Sequence, residues 1–332
     1  MDEKKQIQPQ QKAPDAIPTK KKKDPLVFSA NIIGLALLLY VLISEAMRWG
    51  YKGIVLLISH FSASFSSPEW IVWLLNVLIL MCSLIPAYFV LRKNGKKVHL
   101  KIGEGKGSLS FLVLLPLFLV FAILLNALDQ GVANAFFPQA NITSLGVQLP
   151  ATAAGTVLYF IGVCVCSPLL EELFFRGAIQ GLLRPWGGRF AVLWSALFFA
   201  SFHSSPQKWI TSFIMGVLLG IIAQAGGSIV PCIGLHYANN LYFFVLAIMQ
   251  KHMRGDGAFA LTAMLMVLLL SAAIWAVWKG MQTKQFAALR LPKDELKDKE
   301  KFYRTKRLAT APLFWVGCIA VAALAVERII LR

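Results

Sequence analysis

The sequence predicts an all-α fold, a polytopic transmembrane helical bundle of about 8–9 spans, and three observations carry that reading. The chain is 57% hydrophobic and 15% charged, with a mean hydropathy of +0.65, whereas a soluble domain holds roughly 25% charged and 45–50% apolar residues. Nine segments approach the about 20 apolar residues needed to cross a ~30 Å hydrocarbon layer. Lys and Arg gather between alternate segments, as they do on the cytoplasmic side of membrane proteins. An ordinary soluble enzyme, a disordered scaffold and a small disulfide-stapled domain are all excluded. Cys82, Cys164, Cys166, Cys232 and Cys318 lie in apolar stretches at spacings that fit no zinc pattern, so they read as inert buried thiols.

In chain order, residues 1–25 are rich in Lys, Gln and Pro and predict a disordered basic cytoplasmic tail, too polar to begin a signal peptide. The apolar segments follow at about 26–47, 69–91, 108–128, 152–182, 189–204, 207–225, 228–250, 258–278 and 312–331. The short apolar stretch from Gly53 to Phe65 reads as an interfacial or re-entrant piece. These divide into N-terminal helices (26–128), a central core (150–250) and C-terminal helices (258–332) with a basic cytoplasmic loop at 279–310. The tail, the 92–107 loop, Arg184 with Arg189, and the 279–310 segment hold the basic residues, while the 129–150 loop has Asp129 and no Lys or Arg. Nine spans put all four basic blocks on one face, with the N-terminus cytoplasmic, as expected of a multi-pass protein of the cell membrane. The net charge of +17 is then topology and contact with anionic lipids, with no nucleic-acid partner.

Ionisable side chains inside spans are costly and mark functional sites by default. Glu45 and Arg48, and Glu327 and Arg328, fall near span ends and are expected to reach the interface. The fourth segment is different, because Glu171, Glu172 and Arg176 sit in the middle of an apolar helix. Glu172 and Arg176 are spaced i, i+4 and can pair, which turns Glu171 about 100° away. A neutralised pair with a protonated Glu171 is the plain structural alternative for this helix taken alone. The fifth segment ends Phe199-Ala200-Ser201-Phe202-His203, and the seventh carries His236-Tyr237-Ala238-Asn239-Asn240, so Phe199/His203 and His236/Asn240 each share a helix face. With hairpin turns near Gly187 and near Gly226–Gly227, Glu171 and His203 both lie about 24 Å from their turn, and His236 and Asn240 lie ~14 and ~20 Å from theirs. A Glu, two His and an Asn thus converge on one level within the membrane. His60, His99 and His252 fall in loops or at interfaces.

The motifs Glu171-Glu172-x-x-x-Arg176, Phe199-x-x-x-His203 and His236-x-x-x-Asn240, in this order on three spans, resemble the CAAX-processing and bacteriocin-processing intramembrane proteases, the type II CAAX prenyl endopeptidase or Abi family. The resemblance covers about residues 150–250 and departs at no chemical residue. It implies an intramembrane endopeptidase in which Glu171 is the water-activating base and His203 holds the same water. By the same resemblance His236 and Asn240 form the oxyanion side, Glu172 and Arg176 orient, and Phe199 packs beside the site. The implied substrate is a membrane-associated peptide or a lipidated, CAAX-like protein.

Cofactor use stays open at this level. A metal-free, glutamate-type reaction is favoured; a metalloendopeptidase holding a divalent metal such as zinc through Glu171, His203 and His236 is the alternative. No His-Glu-x-x-His, Gly-x-Ser-x-Gly or Gly-x-Gly-Asp pattern occurs. The glycine-rich Gly103–Ser108 stretch lacks phosphate-loop spacing and reads as a hinge between spans. Two other functions remain in play, a catalytically silent immunity or partner-binding membrane protein of the same fold and a proton-coupled transporter using the buried carboxylates and histidines as a relay.

Overall fold

The apolar runs become helices in the computed structural model, which describes residues 24–62, 66–94, 110–136, 149–203, 208–253, 256–287, 289–290 and 298–330. Among these residues the chain forms α1 (Pro25–Phe61), α2 (Glu69–Asn94), α3 (Phe111–Phe136), α4 (Ala153–Trp186), α5 (Gly188–Ser201), α6 (Trp209–Gly226), α7 (Val230–His252), α8 (Asp256–Gln282), α9 (Asp298–Ala309) and α10 (Pro312–Ile330), with no β-strand. Helices suit this chain because a bilayer offers no water to backbone N–H and C=O groups, which a helix satisfies within itself. Seven helices, α1–α4 and α6–α8, are long and apolar enough to cross a membrane, or eight if α9 and α10 count as one bent pair. The protein is an integral, multi-pass membrane protein. Of the nine expected segments, α5 falls short, since its 14 residues reach only about 21 Å.

Two boundaries differ from expectation. Helix α1 continues unbroken through Gly50 and Gly53 to Phe61, so the stretch expected to form a separate interfacial piece is its last two turns and more. Neither glycine carries a positive φ or breaks the hydrogen-bond ladder. Helix α3 likewise runs past Asp129 to Phe136, where a loop was expected. The N-terminal tail, His99 and the Gly103–Ser108 stretch lie outside the described residues.

Helices α1 and α10 lie side by side and run in the same direction. Arg307 Nη1 pairs with Asp24 Oδ2 at 2.6 Å, Leu313 N–H donates to Asn31 Oδ1 at 3.0 Å, and Gly317 meets Gly34 one turn further on. A Cβ on Gly34 would land on the Leu313 carbonyl and one on Gly317 on the Gly34 backbone, so the two helices touch backbone to backbone. The core falls into two apolar clusters. One joins α1, α2, α5 and α10 around Phe174, Phe175 and Ile179 of α4; the other joins α3, α6 and α7 and reaches α4 at Leu173. Helix α4 therefore occupies the seam, with a side to each cluster.

The α4–α5 turn closes at Gly187, as the spacing predicts, with φ +125° and ψ +133°, a conformation open to glycine. The α6–α7 turn uses Gly227 in the left-handed region, φ +65°, after the last turn of α6.

Candidate active site

Helix α4 is irregular where its chemistry lies. Residues Phe160–Cys166 and Leu173–Gln180 are π-helical, with an α-helical stretch, Ser167–Glu172, between them. Pro168 explains the first irregularity: it has no N–H to donate, and its ring crowds the carbonyl four residues back. The wider π register relieves this, with Ser167 N–H reaching the Gly162 carbonyl five residues away. Single π turns of this kind recur at functional sites because they re-aim side chains.

Glu172 is fully buried and its Oε1 accepts two hydrogen bonds, from Arg176 Nη1 at 2.8 Å and from His236 Nδ1 at 2.9 Å. The expected Glu172–Arg176 pair is thus present, and a third member from α7 joins it. Arg176, also fully buried, donates through Nη2 to the Gly216 carbonyl of α6 at 3.2 Å and lies over the Phe199 ring at 4.3 Å. One turn on, Gln180 Nε2 donates to the Gly220 carbonyl at 2.8 Å. Glu172, Arg176 and Gln180 form an i, i+4, i+8 stripe on α4 facing a Gly216-x-x-x-Gly220 stripe on α6, which small residues leave open to close approach.

Glu171 sits on the neighbouring face, half-buried, and accepts a short hydrogen bond from the Ser167 hydroxyl one turn earlier. His203 lies just past the end of α5 with Nδ1 2.9 Å from the Phe199 carbonyl. A carbonyl only accepts, so Nδ1 carries the proton and a neutral ring leaves Nε2 with its lone pair outward. The backbone of His203 is held in turn by Trp209 Nε1, which donates to its carbonyl at 2.9 Å. His236 is fixed from α4: its Nδ1 bonds Glu172 Oε1 at 2.9 Å, which aims Nε2 away from the carboxylate. The Glu171 carboxylate and the His236 ring are both near enough to act electrostatically on His203. Phe199 packs at the centre, its ring 4.9 Å from that of His203 and 5.7 Å from that of His236.

Asn240 has two hydrogen-bond partners that the sequence did not show. Its Nδ2 donates to the Val163 carbonyl in the first π stretch at 2.8 Å, so one of its two amide protons is committed to α4, and Asn239 Nδ2 donates to its Oδ1 at 3.2 Å. His203 and His236 meet across the Phe199 ring, with Glu172 and Arg176 behind them; Glu171 lies beside Glu172 on α4, and Asn240 borders the site from the Val163 side. Sequence reasoning missed Ser167, Gln180, Gly216, Gly220 and Trp209. The α4 and α6 stripes were visible as four-residue spacings; Ser167 is one turn before Glu171; Trp209 has no local signal.

A cavity of about 730 Å³ opens beside this group, between α1, α2 and α4. Val72, Trp73, Ile79 and Leu80 form apolar wall, Val163 and Ser167 form its edge next to Asn240 and Glu171, and Glu45, Arg48, Lys52 and Glu327 line it too. Glu45 and Arg48, expected to reach the interface, line this cavity and pair with each other at 3.7 Å.

Among the described residues, no three His, Cys, Asp or Glu side chains come together closely enough to share an ion. The Nδ1 atoms of both histidines are held by protein acceptors and Glu171 Oε1 by Ser167, so Nε2 of each ring and Glu171 Oε2 are the atoms that would hold an ion. As arranged, the three do not come close enough to share one.

Residues 153–242 match the family model described as type II CAAX prenyl endopeptidase Rce1-like. The matched stretch begins at α4 and ends just past Asn240, so it contains all three motifs and every residue of the site, in agreement with the resemblance drawn from those motifs. No curated protein and no solved structure matches the chain.

Proposed function

We propose that the protein is an intramembrane endopeptidase in which Glu171 and His203 activate a water for attack on a peptide bond. The family match supports a CAAX-type protease in general; the observation that carries the finer reading is that both histidines are pinned through Nδ1, His203 on the Phe199 carbonyl and His236 on the Glu172 carboxylate, which leaves Nε2 of each for the reaction. In this reading His203 Nε2 takes the acceptor role toward the water and His236 Nε2 the donor role toward the oxyanion. A hydrolase needs both, an acceptor for the water and a donor for the oxyanion.

Water held between Glu171 and His203 Nε2 gives a proton to the Glu171 carboxylate as its oxygen adds to the scissile carbonyl carbon. Negative charge gathers on the former carbonyl oxygen and is met by His236 Nε2–H and by the second amide proton of Asn240. Glu171 then passes the proton to the amide nitrogen, the C–N bond breaks, and a carboxylic acid and an amine leave. Ser167 orients Glu171 throughout; Arg176 and Glu172 hold His236 in place. The substrate is a membrane-associated peptide or lipidated protein, for which the adjoining cavity is suited in size and in its largely apolar wall. The basic end of the bundle faces the cytoplasm of a cell membrane by the positive-inside rule.

The test is cleavage of a quenched lipopeptide library by the full chain in nanodiscs, comparing wild type with Glu171→Gln, His203→Ala and His236→Ala, with and without a strong chelator. Loss of turnover in all three variants with chelator resistance supports the reading. Wild-type turnover abolished by chelator would return the mechanism to a metal, and variants that keep wild-type turnover would overturn the assignment.

A further inference from the structure

Helix α9 holds charge that peptide hydrolysis does not use. Its sequence, DKEKFYRTKRLA, has five Lys and Arg against two acidic residues, so it cannot be a span by itself. It meets α10 at a 70° bend, and α10 runs along the spanning helix α1, so α9 lies across the span direction rather than along it. Its place is the end of the bundle where α1 begins and the α4–α5 hairpin turns, since Arg307 pairs with Asp24 and Arg304 Nη1 donates to the Trp186 carbonyl at 2.8 Å.

The two sides of α9 differ. Toward the protein, Leu308 is buried and Arg304 stacks over Phe190 of α5 at 4.3 Å. Outward, Lys299, Phe302, Tyr303 and Lys306 follow one another at i, i+3, i+4 and i+7, one helix face. Phe302 is 70% and Tyr303 60% exposed, and both lysines are exposed. Two adjacent aromatic rings bracketed by lysines, on a helix lying at the ends of spans, fit the boundary between acyl chains and headgroups, where aromatic rings sink and ammonium groups reach phosphate.

We propose that α9 is an interfacial helix that binds the anionic phospholipid surface through Lys299 and Lys306, with Phe302 and Tyr303 inserted between them, and that it ties lipid charge to the α4–α5 hairpin. Arg304 makes the tie, because it is anchored on the turn residue Trp186 and on Phe190 two residues into α5. The hairpin that carries Glu171 and His203 at its far end is thereby braced at its turn by a helix seated on the bilayer.

Hydrogen exchange of the full chain, in nanodiscs of phosphatidylcholine and of phosphatidylcholine with phosphatidylglycerol, tests this without reference to peptidase activity. Amides of 298–309 should exchange more slowly in the anionic discs, with those of 184–190 following. Near an anionic surface each cation strengthens attachment about fivefold, so Lys299→Gln with Lys306→Gln should remove up to about 25-fold of the added protection. Phe302→Ser with Tyr303→Ser should remove protection in both lipids. Unchanged exchange of α6 in the variants shows that the fold is intact. Equal exchange in the two lipids, or a lipid effect that survives loss of both lysines, overturns the lipid contact; protection of α9 without any change at 184–190 overturns the tie to the hairpin.

Discussion

His236 Nδ1 stands 2.9 Å from Glu172 Oε1, the same oxygen that Arg176 reaches at 2.8 Å, although 64 residues separate the histidine from the glutamate. One buried carboxylate thus holds both a guanidinium and an imidazole, and by taking Nδ1 it leaves Nε2 of His236 facing the site. The adjacent carboxylates of the Glu171-Glu172 pair divide their work by burial, the half-buried one bonded to Ser167 at the cavity edge and the buried one holding an imidazole.

Glu172→Gln keeps the shape of the side chain but removes the charge that holds Arg176 and His236 together. Turnover should fall about 10²-fold or more while KM changes little, because the donor is needed as charge develops on the oxyanion. Glu172→Ala is a different experiment: it leaves Arg176 buried without its carboxylate and should cost about 3–5 kcal/mol of stability. Steady-state kinetics beside thermal unfolding in nanodiscs separates the two effects.

Glu171→Gln should lower turnover about 10²–10⁴-fold, the range that a positioned general base supplies, with no loss of thermal stability. Ser167→Ala, which removes only the hydroxyl that orients Glu171, should cost less than Glu171→Gln does. Equal losses for the two variants would mean that Ser167 does more than orient.

Gly34→Ala should loosen α1 from α10, since its Cβ would fall on the Leu313 carbonyl, which a backbone contact cannot yield by rotating a side chain. Overpacking of this kind costs about 1–3 kcal/mol. Gly53→Ala, where nothing lies within 4 Å of the added Cβ, is the matched control and should leave stability unchanged or slightly raised. Thermal unfolding of both variants in one detergent gives the comparison.

Glu69 caps the start of α4 from another helix: Oε1 accepts from Ala151 N at 2.8 Å, and Oε2 accepts from Thr152 N and Oγ1, each at 2.9 Å. Lys251 of α7 closes the same corner on the Pro150 carbonyl. Glu69→Ala should lower thermal stability, because three hydrogen bonds at the start of α4 lose their acceptor. Hydrogen exchange should rise first at 149–156, at the start of the helix that carries the site.

The sequence by itself determined what is local. Apolar length dictates which runs become helices, and the 3.6-residue repeat places Glu172 opposite Arg176 and Phe199 beneath His203, because partners one turn apart need no tertiary structure to meet. Gly187 was legible as a turn since two apolar runs end there and glycine alone tolerates the conformation.

Tertiary structure decided the rest, because it rests on which helices become neighbours. His236 finds Glu172 only once α7 packs on α4, and the Asn240 amide goes to Val163 because a π turn brings that carbonyl within its reach. Glu45 and Arg48 read as span-end residues, and packing of α1 beside α2 and α4 makes them line a cavity. Helical periodicity shows which side chains share a face; only close packing of separate helices determines what that face meets, and so which ring nitrogen bears the proton.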